Sequence, residues 1–347
     1  MHLHHDTLRD YTLIDTPGLA TTTAENETRT RSAIFGLDGP RQADAVIYVF
    51  RDQQFQSDVE FLQDFGLASG GASASNSIGV LSHADGFGNG AWGEHDPIEA
   101  ASARALILAQ QRSAELAAVV AVAGKLAESA ATGRVREDDA VALNALSTTD
   151  DIDLVTGQVP IDPDRFERLV DLIDDYGIRF GRAHSGGAVR LNRWLEEVSG
   201  VQNLRRALTR QYVGRYPQLK AKQAFSQLEQ AVKKMPRPMP LIRLLSDARG
   251  SPELHPLAEI TAWESLAATN ETHPLEKVLD RLLRARDDAG KVGLPSSVTT
   301  EEVVAAATQQ AAEAREYVLS DDPVIAAAAV TVSQSLALIA LRNGISP

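Results

Sequence analysis

The 347 residues carry 44% hydrophobic and 23% charged side chains, the make-up of a soluble globular chain long enough for two domains. A formal net charge of −13 argues against wholesale nucleic-acid binding, because such domains neutralise phosphates with surplus Lys and Arg. Cysteine is absent, which excludes a disulfide framework, a thiolate metal site and a cysteine nucleophile, and fits a cytoplasmic setting.

In chain order, the first residues hold no apolar core of a secretory signal and run straight into a strand-like segment. So abrupt a beginning at a buried strand reads as a front part that is missing. His2, His4 and His5 read as a polar turn rather than metal ligands, since no carboxylate–histidine spacing accompanies them. Residues 11–15 (YTLID) predict a strand that ends in an acid. The β-branched and aromatic run 43–50 predicts a second strand, 77–82 a third and 119–123 a fourth. Helical patterns cover 57–65 and 99–116, while the Gly/Ser-rich stretch 69–77 and the prolines at 160 and 163 mark breaks. Strands alternating with helices predict an α/β fold, a mostly parallel sheet with helices on both faces.

From about residue 192 the pattern turns helical. Leu191, Leu195, Val198, Val201, Leu204 and Leu208 recur at spacings of three and four and predict one helical face. Residues 219–232 continue in the same way, and the prolines of 236–240 must interrupt any helix. Further helices are expected over 256–268, 274–289, 300–319 and 323–341, with Thr299 or Thr300 as an N-cap before Glu301 and Glu302. The nearly uncharged run 324–341 is about as long as a membrane span, yet Thr331, Ser333, Gln334 and Ser335 in its middle favour a buried bundle helix.

Two motifs carry chemistry. Asp15-Thr16-Pro17-Gly18 follows an apolar run. An acid there can hold Mg²⁺ through water, and the glycine can offer its backbone N–H to a γ-phosphate, an approach any Cβ would block. The bland alternative is an ordinary strand-to-turn exit. The polar, Thr-rich residues 19–31 suit a segment that orders around a phosphate, or simply a solvated loop. At the end of the third strand stand Ser82, His83, Ala84 and Asp85. A carboxylate at Asp85 can accept two hydrogen bonds from the guanine ring N–H and exocyclic amine, which adenine lacks. Ser82 stands where guanine-binding proteins carry Asn or Thr, and His83 where they carry Lys. An imidazole can stack on a base without reproducing the ammonium's bonds. The fourth strand ends in Ala123-Gly124-Lys125, where guanine-binding proteins have a short base-contacting loop. No GxxxxGK[ST] string occurs: Gly124-Lys125 is followed by Leu126, and Gly290-Lys291 by Val292. The backbone cradle and lysine that carry most phosphate affinity are therefore missing from this sequence, and it is expected to bind GTP poorly.

On these residues the chain resembles bacterial dynamin-like GTPases, most nearly the isoniazid-inducible dynamin-like proteins of actinobacteria. The resemblance rests on 11–18 (YTLIDTPG), 43–50 (ADAVIYVF), 78–88 (IGVLSHADGFG), 120–128 (VAVAGKLAE) and 194–219. It implies a partial P-loop GTPase domain over 1–205, lacking its first strand and phosphate loop, followed by an all-α neck or stalk over 206–347. It implies Mg²⁺ and GTP as cofactor and substrate of the complete protein, with Asp15 as the metal ligand. Asp15, Thr16, Gly18, Ser82, His83, Asp85 and Gly124 would surround the nucleotide, while the residue that positions the attacking water stays unassigned. It further implies self-association or pairing with a paralogue, and a peripheral place at the inner face of the plasma membrane. A non-catalytic pseudo-GTPase scaffold is the alternative. A ribosome-assembly or translation GTPase is disfavoured by the acidic balance and long helical tail. The residues 233–239 (KKMPRPM) are the candidate lipid contact, against an inter-helix hinge.

Overall fold

A computed structural model of the chain describes residues 12–16, 43–52, 56–68, 76–113, 115–212, 215–267 and 273–344. The first half is built on three parallel strands, β1 (Val46–Phe50), β2 (Ser77–Ser82) and β3 (Ala118–Val122), in the order β1-β2-β3. The register pairs Phe50 with Leu81 and Ser82 with Val122, so the three strands end side by side. Helices α1 (Gln56–Ala68) and α2 (Pro97–Gln111) form the crossovers that parallel pairing requires. Phe50, Leu81, Val119 and Ala121 share one face with the α1 residues Phe61, Leu62 and Phe65 in a common core.

Five helices follow: α3 (Gly124–Ala131), α4 (Glu137–Ala145), α5 (Asp151–Thr156), α6 (Pro163–Gly181) and α7 (Ala188–Val198). The expected break at Pro160 and Pro163 becomes the start of α6, because Pro163 sits at the first helical position, where its missing N–H costs nothing, and Asp162 accepts from the amide of Asp164. Helix α8 (Val201–Gln211) packs on β2 and β3. Ile78 and Val80, on the face away from Phe50, are thus buried, whereas Val49 on β1 is 61% exposed. Parallel sheets are normally covered on both faces; among the described residues nothing covers the β1 side of this face.

Three expectations need correction. Thr12–Thr16 form no strand; this part of the YTLID run has Leu13 and Ile14 exposed, and no partner strand for it stands among the described residues. The second strand begins at Val46 instead of residue 43. The single helical face through Leu191 and Leu208 is two helices, α7 and α8, divided at Ser199-Gly200. The 205/206 cut between the expected domains falls inside α8.

The second half contains α9 (Tyr216–Lys233), α10 (Met239–Arg249), α11 (His255–Ala267), α12 (Pro274–Arg284), α13 (Asp288–Lys291), α14 (Thr300–Arg315) and α15 (Pro323–Gly344). A second core joins Ile260, Trp263, Leu279, Leu282, Val303, Ala307, Val332 and Leu336. Thr299 caps α14: its hydroxyl accepts from the amide of Glu302 at 3.3 Å, and the Glu302 carboxylate accepts from the amide of Thr299 at 2.8 Å. Helix α15 is long and apolar enough to span a bilayer by length and composition. It packs against α11, α12 and α14 and buries Ala328, Ala329, Val332, Leu336 and Ile339 there, as a bundle helix does. Arg215, fully buried at the foot of α9, lies 3.6 Å from the Trp263 ring and pairs with Asp280, tying α9 to α11 and α12.

Within the first half, Asp139 is almost fully buried and accepts from Arg168 at 2.7 and 3.0 Å and from the amide of Arg136 at 2.8 Å. Burial raises its pKa, but the bonds from Arg168 and the Arg136 amide outweigh that and hold it below its ordinary 3.8. Asp139→Ala is expected to cost about 2 kcal/mol, from the lost capping-box bond to the Arg136 amide and one half-exposed charged pair. Because the folded pKa is depressed, this contribution is complete above 3.8 and is lost as pH falls below it. Urea titrations of both proteins should therefore differ at pH 6 and converge near pH 2; an equal gap at both would remove the pair as the cause.

Candidate functional site

The carboxyl ends of β1, β2 and β3 deliver Arg51, then Ser82, His83 and Asp85, then Gly124 and Lys125, to one edge of the sheet. That edge is where open α/β sheets place ligands. The Ser82 hydroxyl donates to the Phe50 carbonyl at 3.0 Å, so it stitches β2 to β1. His83 leaves the strand in the left-handed region (φ 55°, ψ 43°), a turn that a non-glycine residue rarely takes. Its exposed ring accepts at Nε2 from Arg51 Nη2 at 3.1 Å, since a guanidinium can only donate; the ring proton is then on Nδ1. Arg51 thus sets a guanidinium against the His83 ring.

The turn at His83 starts the 3₁₀ segment Ala84–Gly86, which holds Asp85 half-buried at the end of the middle strand. Burial raises the Asp85 pKa above its ordinary value; its own backbone N–H opposes this, the Asp174 charge adds to it, and His83 and Lys125 oppose it. Ala123, buried and fixed by its amide to the Ser199 carbonyl at 2.9 Å, starts α3, with Gly124 exposed behind it. Among the described residues a Cβ on Gly124 would meet nothing within 4 Å, so no close approach by them requires glycine there.

The sequence placed Lys125 after the fourth strand but not its partner across this edge, Asp174. Lys125 reaches across to α6, donating to the Val170 carbonyl at 3.0 Å and to Asp174 Oδ2 at 3.3 Å. Asp174 interrupts α6 with φ 56° and ψ −180°, a conformation almost reserved for glycine. One wall of the neighbourhood is fixed by Tyr176, whose hydroxyl donates at 3.0 Å to Asp96, the N-cap of α2.

Asp15 and Thr16 lie in an exposed, irregular segment, and no described contact brings them to the sheet edge. Gly18 lies outside the described residues. Among the described residues no group of three or more carboxylate or imidazole side chains gathers as a metal site. At the strand ends, Asp85 is thus a half-buried carboxylate on which the charges of His83 and Lys125 act.

No family model matches the chain, and no solved structure matches it. The Isoniazid-induced protein IniC of Mycobacterium tuberculosis, in strains CDC 1551 / Oshkosh and ATCC 25618 / H37Rv, is 26% identical over 297 residues. The match covers 78% of this chain and 59% of each relative, so the chain spans about six tenths of the length of the curated relatives it matches and is distantly similar to them.

Proposed function

We propose that this chain carries the base-reading part of a dynamin-like GTPase, joined to a helical stalk. The observation that carries the reading is Asp85: a half-buried acceptor at the carboxyl end of the middle parallel strand, next to Gly124 and Lys125. In the complete protein GTP would be hydrolysed with Mg²⁺, Asp15 would hold the metal and Gly18 would meet the γ-phosphate, and the stalk would serve membrane remodelling or protection. Bound Mg²⁺ would neutralise charge on the phosphates. This chain's own residues select and orient the base. With no GxxxxGK[ST] string it lacks a phosphate cradle, so the chain alone is not expected to hydrolyse GTP.

Saturation-transfer NMR with the full chain tests this. Guanosine should bind at millimolar concentration and about 10²-fold or more better than adenosine, which lacks both donors that the Asp85 carboxylate accepts from. Mg·GTP should bind no more than a few-fold tighter than guanosine. Equal binding of both nucleosides would end the guanine reading, and micromolar Mg·GTP affinity would end the claim that phosphates are not held. The open β1 side with exposed Val49 favours a second reading, a pseudo-GTPase scaffold completed by another copy or a paralogue.

The stalk offers a lipid-facing surface. Met235, Met239, Leu241 and Leu244 are exposed where α9 turns into α10, and Lys233, Lys234, Arg237 and Arg243 surround them. Helix α10 buries no residue at all. Cations beside apolar side chains suit an anionic bilayer, at about 1 kcal/mol per charge. The double change Lys233→Glu and Lys234→Glu should lower sedimentation with phosphatidylserine vesicles at least ten-fold. Unchanged sedimentation would remove this surface.

A further inference from the structure

The two halves of α6 grip different parts of the molecule. Before Asp174, Arg168 holds Asp139 of α4, and Leu169 and Leu172 are buried. After it, the Tyr176 hydroxyl donates to Asp96 at 3.0 Å, and Arg179 donates to the carbonyls of Gly93, at 2.7 Å, and Ala91. Those acceptors belong to residues 91–96, the segment between the Asp85 turn and α2. Asp174, at φ 56°, stands between the halves in a conformation that strains a non-glycine residue.

Side chains take over the helix bonds at this break. In an unbroken helix the amide of Asp175 would bond the carbonyl of Asp171, and that of Tyr176 the carbonyl of Leu172. Here the Asp175 amide donates to Asp174 Oδ1 at 3.1 Å, and the Leu172 carbonyl accepts from the Ser129 hydroxyl at 2.5 Å. Lys125, one turn before Ser129 on α3, donates to the Val170 carbonyl at 3.0 Å and to Asp174 Oδ2 at 3.3 Å. Gly177 completes the set. A Cβ there would lie 2.4 Å from Cβ of Ile173, a fully buried residue. In a regular helix Cβ atoms four residues apart are about 5–6 Å from each other. Glycine at 177 is thus a requirement of the broken form alone.

We propose that α6 is a two-state helix: Lys125 and Ser129 of α3 hold it broken at Asp174, and when they let go it closes into a continuous helix that releases residues 91–96. With the first half anchored on α4, restoring helical dihedrals at Asp174 turns everything after it, so Tyr176 and Arg179 lose their acceptors. The ends of β2 and β3 are thereby joined mechanically, because residues 91–96 follow β2 and α3 follows β3. The device does not depend on whether Asp85 reads a base.

Hydrogen exchange of the full chain, followed by mass spectrometry, tests this with Gly177→Ala, which the broken form cannot accommodate. Amides 175 and 176 should exchange about ten-fold more slowly, having gained helical carbonyls, and amides 91–96 about ten-fold faster, the effect of one hydrogen bond on an opening equilibrium. Lys125→Met should move both in the same directions. Simple damage to α6 would speed exchange at both places. A folded Gly177→Ala protein whose amides 175 and 176 exchange as fast as in the parent, or faster, overturns the proposal. Circular dichroism checks folding. If Gly177→Ala unfolds, Lys125→Met decides on the same two readings: slower exchange at 175 and 176 with faster exchange at 91–96 supports the two-state helix, and any other pattern overturns it.

Discussion

Gly200→Ala is expected to destabilise the sheet-bearing half of the molecule by about 3–5 kcal/mol, adding left-handed backbone strain to a clash that cannot relax. Gly200 stands at φ 77°, between α7 and α8. A Cβ built there would lie 2.1 Å from the Ala121 carbonyl oxygen and 3.2 Å from its carbon. Those are backbone atoms of β3, held in the sheet by pairing with β2, so neither side can step back. The same contact seats the Ser199 carbonyl on the amide of Ala123, one residue before Gly124. The variant should therefore loosen the end of β3 as well as the α7–α8 corner, and hydrogen exchange of the β3 amides should accelerate first. Gly157→Ala is the control. It has a similar φ of 72° with nothing within 4 Å of its Cβ, and it should cost only about 1 kcal/mol. Equal effects from the two substitutions would mean that backbone conformation alone, and not the approach to β3, sets the requirement at Gly200.

That corner also shows what periodicity can and cannot reveal. The apolar spacing of three and four runs from Leu191 to Leu208 without a gap, so the sequence reads as one helix. The left-handed turn at Gly200 changes the direction of the chain but not the spacing of its apolar residues. Where punctuation is explicit the expectation holds: the prolines of 236–240 separate α9 from α10, and Thr299 with Glu302 opens α14. The YTLID run is apolar enough for a strand, but pairing depends on a neighbour, which no local pattern supplies. At the site, Ser82, His83 and Asp85 were legible because one strand delivers them together and the chemistry of a lone acid after a strand is recognisable. Lys125 was placed after the fourth strand, but its pairing with Asp174 was not legible. The two lie 49 positions apart, and Asp174 sits mid-helix, itself neither glycine nor proline.

Asp85→Asn should separate binding from stability in opposite directions. A carboxylate accepts both guanine N–H groups with charge assistance, each worth about 1.5–3 kcal/mol. An amide can accept only one of them and places its own N–H against the other. Guanosine affinity should then fall about 10²-fold or more, and xanthosine, whose 2-oxo oxygen accepts from that new N–H, should gain. The empty protein should respond the other way. Burial raises the folded pKa of Asp85 above 3.8, so folding favours its protonated form. A raised acid gives its greatest stability below 3.8 and loses it as pH climbs through the folded value. At pH 7 the ionised Asp85 therefore weighs against the fold, and the asparagine variant should be as stable as the parent or more so; at pH 3 the advantage should vanish. A variant that is less stable at pH 7, with guanosine affinity unchanged, would mark Asp85 as a structural acid and move the search for a base reader elsewhere on this sheet edge.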